Sequence, residues 1–204
     1  MRQTSSKLLA SLWGYCIVLN NIAAIFGTGA AASTNSYESI ATVTVGAGGA
    51  SSVSFSSIPS TYKHLQIRAL GRYTTTTKNL YYDFNGDTTS TNYYLHTLSG
   101  DGASASAFAG QYAIIGNDAM TSSGETANAF GVAIIDILDY ANTNKNKVSR
   151  TLSGNDLNWS GNVKLGSTLW LNTAAITSIT LKPQSGLGAS FAQYSHFALY
   201  GIKG

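Results

Sequence analysis

The sequence predicts an all-β fold, an antiparallel β-sandwich preceded by an N-terminal anchoring helix. From Ser36 onward apolar and polar residues mostly alternate, which is the period-two pattern of half-buried strands. About ten such segments follow one another, separated by turn-rich sequence. The chain also has 21 glycines and two prolines, a composition that suits short strands joined by tight turns.

The chain divides into two predicted parts. Residues 1–36 form an apolar helical anchor and linker, and residues 37–204 form a β-sandwich head. Thirty residues between Lys7 and Glu38 carry no charge. Within them, apolar positions recur at alternating steps of three and four and therefore share one helix face. These positions are Leu9, Leu12, Cys16, Leu19, Ala23 and Phe26.

Three interpretations of the anchor stay open. We favour a helix buried against other protein, with Trp13 packing beside the apolar stripe. A secretory signal peptide is the second, with the small residues 30–32 as its cleavage site. A membrane span is the third. Residues 8–26 are long enough for it, but Asn20 and Asn21 dilute their hydrophobicity.

Five strands are predicted in the first half of the head, over residues 40–45, 53–58, 65–69, 80–84 and 93–98. Pro59 closes the second of them, because proline cannot donate to a strand ladder. Asn85-Gly86 is typical of a type I′ hairpin turn, since both residues tolerate positive φ. We therefore predict that the strand at 93–98 returns beside the strand at 80–84, or continues it after a polar loop.

Small residues fill positions 99–109, which predicts a long exposed loop. Further strands are predicted over residues 112–115, 130–138, 148–153, 168–171, 176–181 and 191–200. The segment 130–138 is apolar on both faces. Such a pattern indicates a central strand, or one that a neighbouring subunit covers.

Charge and composition exclude some partners. Charged residues make up 10% of the chain, so its surface consists largely of hydroxyls, amides and backbone. Removing Arg2 and Lys7 from the 12 bases leaves ten, against nine acids, and no long basic run exists. We therefore expect no nucleic acid as a partner. We also predict no membrane partner. Packing against neighbouring copies or against sugar hydroxyls fits better.

Catalytic and metal motifs are weak. Residues 83–87 resemble the start of a calcium loop, but no glutamate follows at EF-hand spacing and the hairpin turn explains them better. Asp136 and Asp139 are expected at a solvated strand end or paired with Lys145 or Arg150. The three histidines are scattered and no nucleophile elbow is present. We predict no enzyme activity, no metal and no cofactor.

Aromatic residues are numerous enough to suggest a surface role. Tyr73, Tyr81, Tyr93 and Trp159 are the candidates for stacking on sugar faces, with asparagine and aspartate nearby. Packing between subunits also enriches tyrosine and tryptophan, and we favour it over glycan binding.

Several segments together resemble a β module of small structural proteins of tailed bacteriophages. They are residues 37–46 (YESIATVTVG), 57–68 (SIPSTYKHLQIR), 84–87 (FNGD), 135–145 (IDILDYANTNK) and 191–201 (FAQYSHFALYG). The resemblance implies a jelly-roll-like fold and an exposed virion component, a capsid decoration or short tail appendage. It also implies a homotrimer held to capsid or tail proteins by a variable N-terminus. The alternatives are a virion adhesin that binds a host surface glycan and a secreted lectin.

Overall fold

The computed structural model describes residues 36–111, 114–116, 120–184 and 188–204. The predicted anchor, including Trp13 and Cys16, lies outside these residues, as do the signal-peptide and membrane-span alternatives. The described residues form twelve β-strands and a short 3-10 turn at Ser90–Asn92, without an α-helix. Within these ranges no helix has the length and hydrophobicity needed to cross a membrane.

Eight strands form the larger sheet. They are β1 (Tyr37–Thr44), β3 (His64–Gly71), β5 (Tyr93–Gly100), β6 (Ala105–Gly110), β8 (Gly131–Leu138), β9 (Lys147–Asp156), β10 (Gly161–Trp170) and β12 (His196–Ile202). Their order across the sheet is β1-β12-β3-β8-β9-β10-β5-β6. All seven neighbouring pairs are antiparallel.

Four strands form the smaller sheet. They are β2 (Val53–Phe55), β4 (Leu80–Phe84), β7 (Ile114–Gly116) and β11 (Ile179–Pro183), in the order β2-β11-β4-β7. These pairs are also antiparallel. The prediction of a nearly all-β, antiparallel protein is therefore confirmed for the described residues.

Side chains from both sheets meet in one hydrophobic core. An aromatic cluster lies within it, where Phe84 of the smaller sheet contacts Trp170 and Tyr93 of the larger sheet at centroid distances of 5.5 and 6.3 Å. Each large aromatic side chain buries roughly 150–250 Å². The sharing of one core by the two sheets is consistent with a β-sandwich.

The two-sided apolar segment at 130–138 is a central strand, as predicted. Strand β8 lies between β3 and β9 in the larger sheet. Its inward residues Ala133, Ile135 and Ile137 are buried. Val132 and Ile134 on its opposite face are exposed, although they are as apolar as the inward set. Strand β8 therefore carries hydrophobic side chains that the described fold does not bury.

The long loop predicted at 99–109 is wrong, because these residues form a hairpin. Strand β5 runs to Gly100, and β6 pairs with it from Ala105 onward. Asp101 stabilises the turn, since its Oδ1 accepts hydrogen bonds from the amides of Ala103 and Ser104 at 2.9 and 2.6 Å. Backbone pairing thus overrides the low strand propensity of small residues.

The Asn85-Gly86 turn is present, but it does not join a hairpin. Both residues have positive φ, 54° and 72°, and the amide of Asp87 donates to the carbonyl of Phe84 at 2.9 Å. Strand β4 nevertheless pairs with β11 and β7, whereas β5 belongs to the larger sheet. The Asn85 side chain explains the difference. It binds the segment that leads into β11, accepting from the amide of Thr177 at 2.8 Å.

Candidate interaction surface

The larger sheet has an outer face, the face turned away from the core, with an apolar row across it. Ile134 lies opposite Leu152, Leu152 opposite Leu165, and Leu165 opposite Leu98. Residues opposite each other in antiparallel strands have neighbouring side chains on one face. Four aliphatic side chains from four successive strands therefore lie side by side.

A second row lies beside the first. Leu70 pairs with Val132, Val132 with Gly154, Gly154 with Val163, and Val163 with Gly100. The two glycines contribute no side chain, so the row has gaps between its aliphatic members. The surface is therefore hollowed along this row.

We call the aliphatic side chains of the two rows the apolar band. Their exposed fractions run from 39% for Ile134 to 60% for Val163. The seven members are Leu70, Leu98, Ile134, Val132, Leu152, Val163 and Leu165. Isolated exposed hydrophobic residues are normal, but a contiguous patch marks an interaction site in a soluble domain.

A groove of about 1030 Å³ lies over part of the band. Val132, Leu152, Val163 and the two glycines of the second row line it. Asp101 and Trp159 from the two turns beside the sheet also line it, together with Asp156 at the end of β9 and Arg68 of β3. The groove therefore combines a hydrophobic lining with a few charged groups.

Trp159 occupies the turn between β9 and β10. Its exposed fraction is 99%, the largest among the exposed hydrophobic residues of the described chain. Its φ is 79° and that of Asn158 is 59°, so both central residues are left-handed. The amide of Leu157 donates to the carbonyl of Ser160 at 2.8 Å and closes the turn. Asparagine suits this conformation, whereas a bulky residue is uncommon there.

Polar side chains border the band on one side. Asp136 accepts a hydrogen bond from Gln66 at 2.8 Å, and Gln66 accepts one from Arg68 at 2.9 Å. The Arg68 guanidinium also lies over the ring of Tyr200, 5.0 Å from its centroid. These polar groups have partners within the chain, whereas the aliphatic side chains of the apolar band are exposed.

Two of the four predicted glycan-stacking residues are in the core, so the prediction is wrong for them. Tyr73 and Tyr93 are both 0% exposed and offer no face to a ligand. Their hydroxyls donate to the carbonyls of Asn79 and Asp87 at 3.0 and 2.9 Å. Burial raises the pKa of both hydroxyls. A tyrosine is buried readily when its hydroxyl has such a partner.

The other two candidates do not share a site. Tyr81 is half-buried on β4 of the smaller sheet, while Trp159 is exposed at the end of the larger one. Sequence reasoning identified Trp159 but missed the apolar band. The one sequence signal for the band was the two-sided apolar pattern of residues 130–138. The other members lie on strands that are brought together by long-range pairing, which the sequence pattern does not reveal.

The acidic residues considered for acid–base or metal chemistry have structural partners. Asp139 pairs with Lys63 at 2.8 Å and with Lys145, as predicted for the latter. Hydrogen bonds from Lys145 and then Lys63 lower the pKa of the Asp139 carboxyl to about 2. Asp83 of the calcium-like segment binds Lys182 at 2.7 Å.

The three histidines lie on separate strands or strand ends. His64 accepts from the amide of Asp139 at 3.0 Å, and His196 shares a hydrogen bond with Thr44 at 2.9 Å. In the described part of the chain, no three histidine, cysteine, aspartate or glutamate side chains come together as a set of metal ligands.

Comparison with protein-family models, with curated proteins and with solved structures found no match to this chain.

Proposed function

We propose that this chain is a non-enzymatic structural subunit of a tailed-bacteriophage virion, an exposed capsid decoration or a short-fibre or tail-appendage subunit. The apolar band carries the proposal. An aliphatic surface that spans five strands of a folded domain suits packing against other protein. It suits turnover of a small polar substrate far less, because such sites depend on convergent polar groups.

The strand order supports a jelly roll as the finer description of the fold. Taking β1, β2, β3, β4, β7, β8, β11 and β12 as strands one to eight, the sheets read 1-8-3-6 and 2-7-4-5. This is the double-sheet arrangement of a jelly roll, a fold that viral capsid and lectin domains use. Hairpins β5–β6 and β9–β10 are then insertions that widen the first sheet. The fold supports the proposal without deciding it.

In this proposal the subunit is a homotrimer in the virion, held to capsid or tail protein through its N-terminal segment. The apolar stripe from Leu9 to Phe26 supports the attachment, because a helix with such a stripe needs a partner to cover it. The low charge of the chain supports close packing between copies, since few charges must be desolvated.

Purified phage particles test the proposal. Particles are banded on a density gradient, and the chain is quantified by mass spectrometry and located by immunogold electron microscopy. We expect a constant number of copies per particle and labels on the particle surface. Recovery of the chain from the soluble lysate alone, with none on the particles, would overturn the proposal.

Recognition of a host surface glycan is the second candidate function. The fully exposed Trp159 ring favours it, because an indole face stacks on sugars and Asp156 and Asp101 lie along the same groove. A glycan array probed with the full chain and with Trp159→Ala tests it. Tyr194→Ala is the matched control, since Tyr194 is 69% exposed and also has a positive φ of 72°.

A further inference from the structure

We propose that Trp159 of one copy inserts into the outer-face groove of a second copy. The inference rests on the proposed function, because it names the protein partner that covers the apolar band. The described fold leaves two features without a role, the fully exposed indole and the open groove. In the proposed contact, the indole of one copy packs in the groove of the other.

Folding does not account for the position of Trp159. With 99% of its surface exposed, the side chain gains almost nothing from burial. Its left-handed backbone is unfavourable for a residue with a bulky side chain. Glycine or asparagine would close the same turn more easily. A contact outside the chain explains why a large apolar ring is held there.

The groove is open for two different reasons at the two glycines of the second row. At Gly154 a Cβ atom would lie 2.4 Å from the carbonyl oxygen of Asn162, so the close strand pairing requires glycine. At Gly100 a Cβ atom would approach no nearer than 3.7 Å, to the carbonyl oxygen of Ser104. The fold would accept a side chain at position 100. Glycine there leaves the hollow free for another group.

The lining of the groove suits an indole ring. Val132, Leu152 and Val163 offer aliphatic surface, against which an aromatic ring packs without losing hydrogen bonds. A saccharide would instead use polar partners for its hydroxyls, and Asn155 and Asn162 also line the groove beside its mainly aliphatic surface. Of the charged groups in the lining, Arg68 lies on β3, Asp156 ends β9 and Asp101 lies in the β5–β6 turn.

A second copy of the chain supplies the ring. In one head-to-tail contact the Trp159 ring of one copy and the apolar band of the next together bury on the order of 600–900 Å², a small interface beside the ~1,600 Å² of a standard one. Each copy has one ring and one groove. A head-to-tail contact closes into a ring only where the rotation between neighbouring copies allows it, and a three-fold rotation would give the proposed trimer.

Photo-crosslinking tests the contact in the full chain. The photoreactive residue p-benzoylphenylalanine replaces Trp159, and equal amounts of ¹⁴N- and ¹⁵N-labelled protein are mixed, irradiated and digested. We expect crosslinks that join a ¹⁴N peptide to a ¹⁵N peptide, with the acceptor at Val132, Leu152 or Val163. The same residue placed at Tyr194 is the control and should give no crosslinks to the groove. Crosslinks confined to one isotope would overturn the inference.

A complementation experiment separates a specific insertion from general stickiness. Trp159→Ala removes the ring, which also lines the groove of its own copy, and keeps the aliphatic lining of Val132, Leu152 and Val163. Gly100→Phe fills the groove and keeps the ring. We expect each variant alone to lose at least tenfold in the affinity of this contact, measured by sedimentation with circular dichroism as the folding control. The mixture should recover association, because one ring and one groove remain. Unchanged association of both variants would overturn the inference.

Outcomes for the two proposals can be distinguished. Crosslinks between copies in a protein absent from virions would overturn the virion assignment alone. A chain present on virions without these crosslinks would overturn the insertion alone. If Trp159→Ala abolishes glycan binding and leaves self-association unchanged, the groove is a saccharide site and the insertion is wrong.

Discussion

The indole nitrogen of Trp170 donates a hydrogen bond of 2.8 Å to Oδ2 of Asp87. Trp170 ends β10 in the larger sheet, and Asp87 closes the turn that follows β4 in the smaller sheet. The same carboxylate accepts from the side chain of Asn92 at 2.8 Å and from the amide of Thr89 at 3.0 Å. Asp87 therefore connects the two sheets at the point where the chain crosses between them.

Replacing Asp87 with alanine should destabilise the fold. The buried indole N–H of Trp170 would lose its acceptor, and an unsatisfied buried donor costs about 1–3 kcal/mol. Urea unfolding, followed by tryptophan fluorescence, measures the loss. Asp156→Ala is the control, since Asp156 lies at an exposed strand end, and it should change stability by less than about 0.5 kcal/mol. Equal stabilities for the two variants would contradict the prediction.

Replacing Lys147 with methionine should also cost stability. The side chain is buried, and its ammonium donates to the carbonyls of Asn142, Lys145 and Thr173 at 2.6, 2.9 and 2.8 Å. Methionine matches its length but leaves these three acceptors without their donor, which should cost about 2–4 kcal/mol.

Lys63→Met provides the comparison for Lys147. Lys63 is 56% exposed in its side chain and pairs with Asp139, so its loss should cost less than about 1 kcal/mol. Chemical denaturation at pH 7 checks both variants. If Lys147→Met is the milder of the two, the carbonyl contacts do not stabilise the fold as proposed.

The ion pairs of Asp139 should make the stability of the fold depend on pH in the acidic range. Because the folded pKa of about 2 lies below the ordinary value of 3.8, the carboxylate contributes stability above pH 3.8. That contribution is lost as the pH falls toward 2. Asp139→Asn removes the charge and accepts the positive φ of 49°.

We therefore expect the urea midpoint of Asp139→Asn to lie below that of the original chain at pH 6. The difference should shrink between pH 4 and pH 2, where the original chain loses the same interaction. A difference that stays constant over this range would show that the substitution acts through something other than the charge of Asp139.

Replacing Arg72 with lysine should loosen one loop. The guanidinium donates to the carbonyls of Thr126 and Ala129 at 2.8 and 3.0 Å, and also to those of Ser123 and Glu125. A lysine ammonium keeps the charge but cannot reproduce this fork of donors. Hydrogen exchange in residues 122–130 should become about tenfold faster, as expected when local contacts are lost. Arg150→Lys, on the exposed outer face, should leave exchange in that loop unchanged.

Local chemistry was readable from the sequence, and long-range pairing was not. The dipeptide Asn85-Gly86 forms the turn that its tolerance of positive φ predicts. The strands on either side of it belong to different sheets, because Asn85 binds residues more than ninety positions later in the chain. No local pattern carries that information.

The apolar band, too, was predictable from the sequence only in part. The nearly continuous apolar run of residues 130–138 predicted a strand with two apolar faces, and β8 has them. Which strands extend that surface depends on the register of β9, β10 and β5. Tyr93 was predicted to be an exposed stacking residue, because the periodicity of a strand does not show which of its two faces points into the core. The structure buries it, and its hydroxyl both accepts from the amide of Phe84 and donates to the carbonyl of Asp87.

The β5–β6 and β9–β10 hairpins have a consequence for how this protein can change. Four of the seven side chains of the apolar band, and the tryptophan beside them, come from these two hairpins. Their tips lie away from the cluster around Phe84 that joins the sheets. Exchanging those tips would give the same framework a different binding preference, much as loops are grafted onto an antibody scaffold.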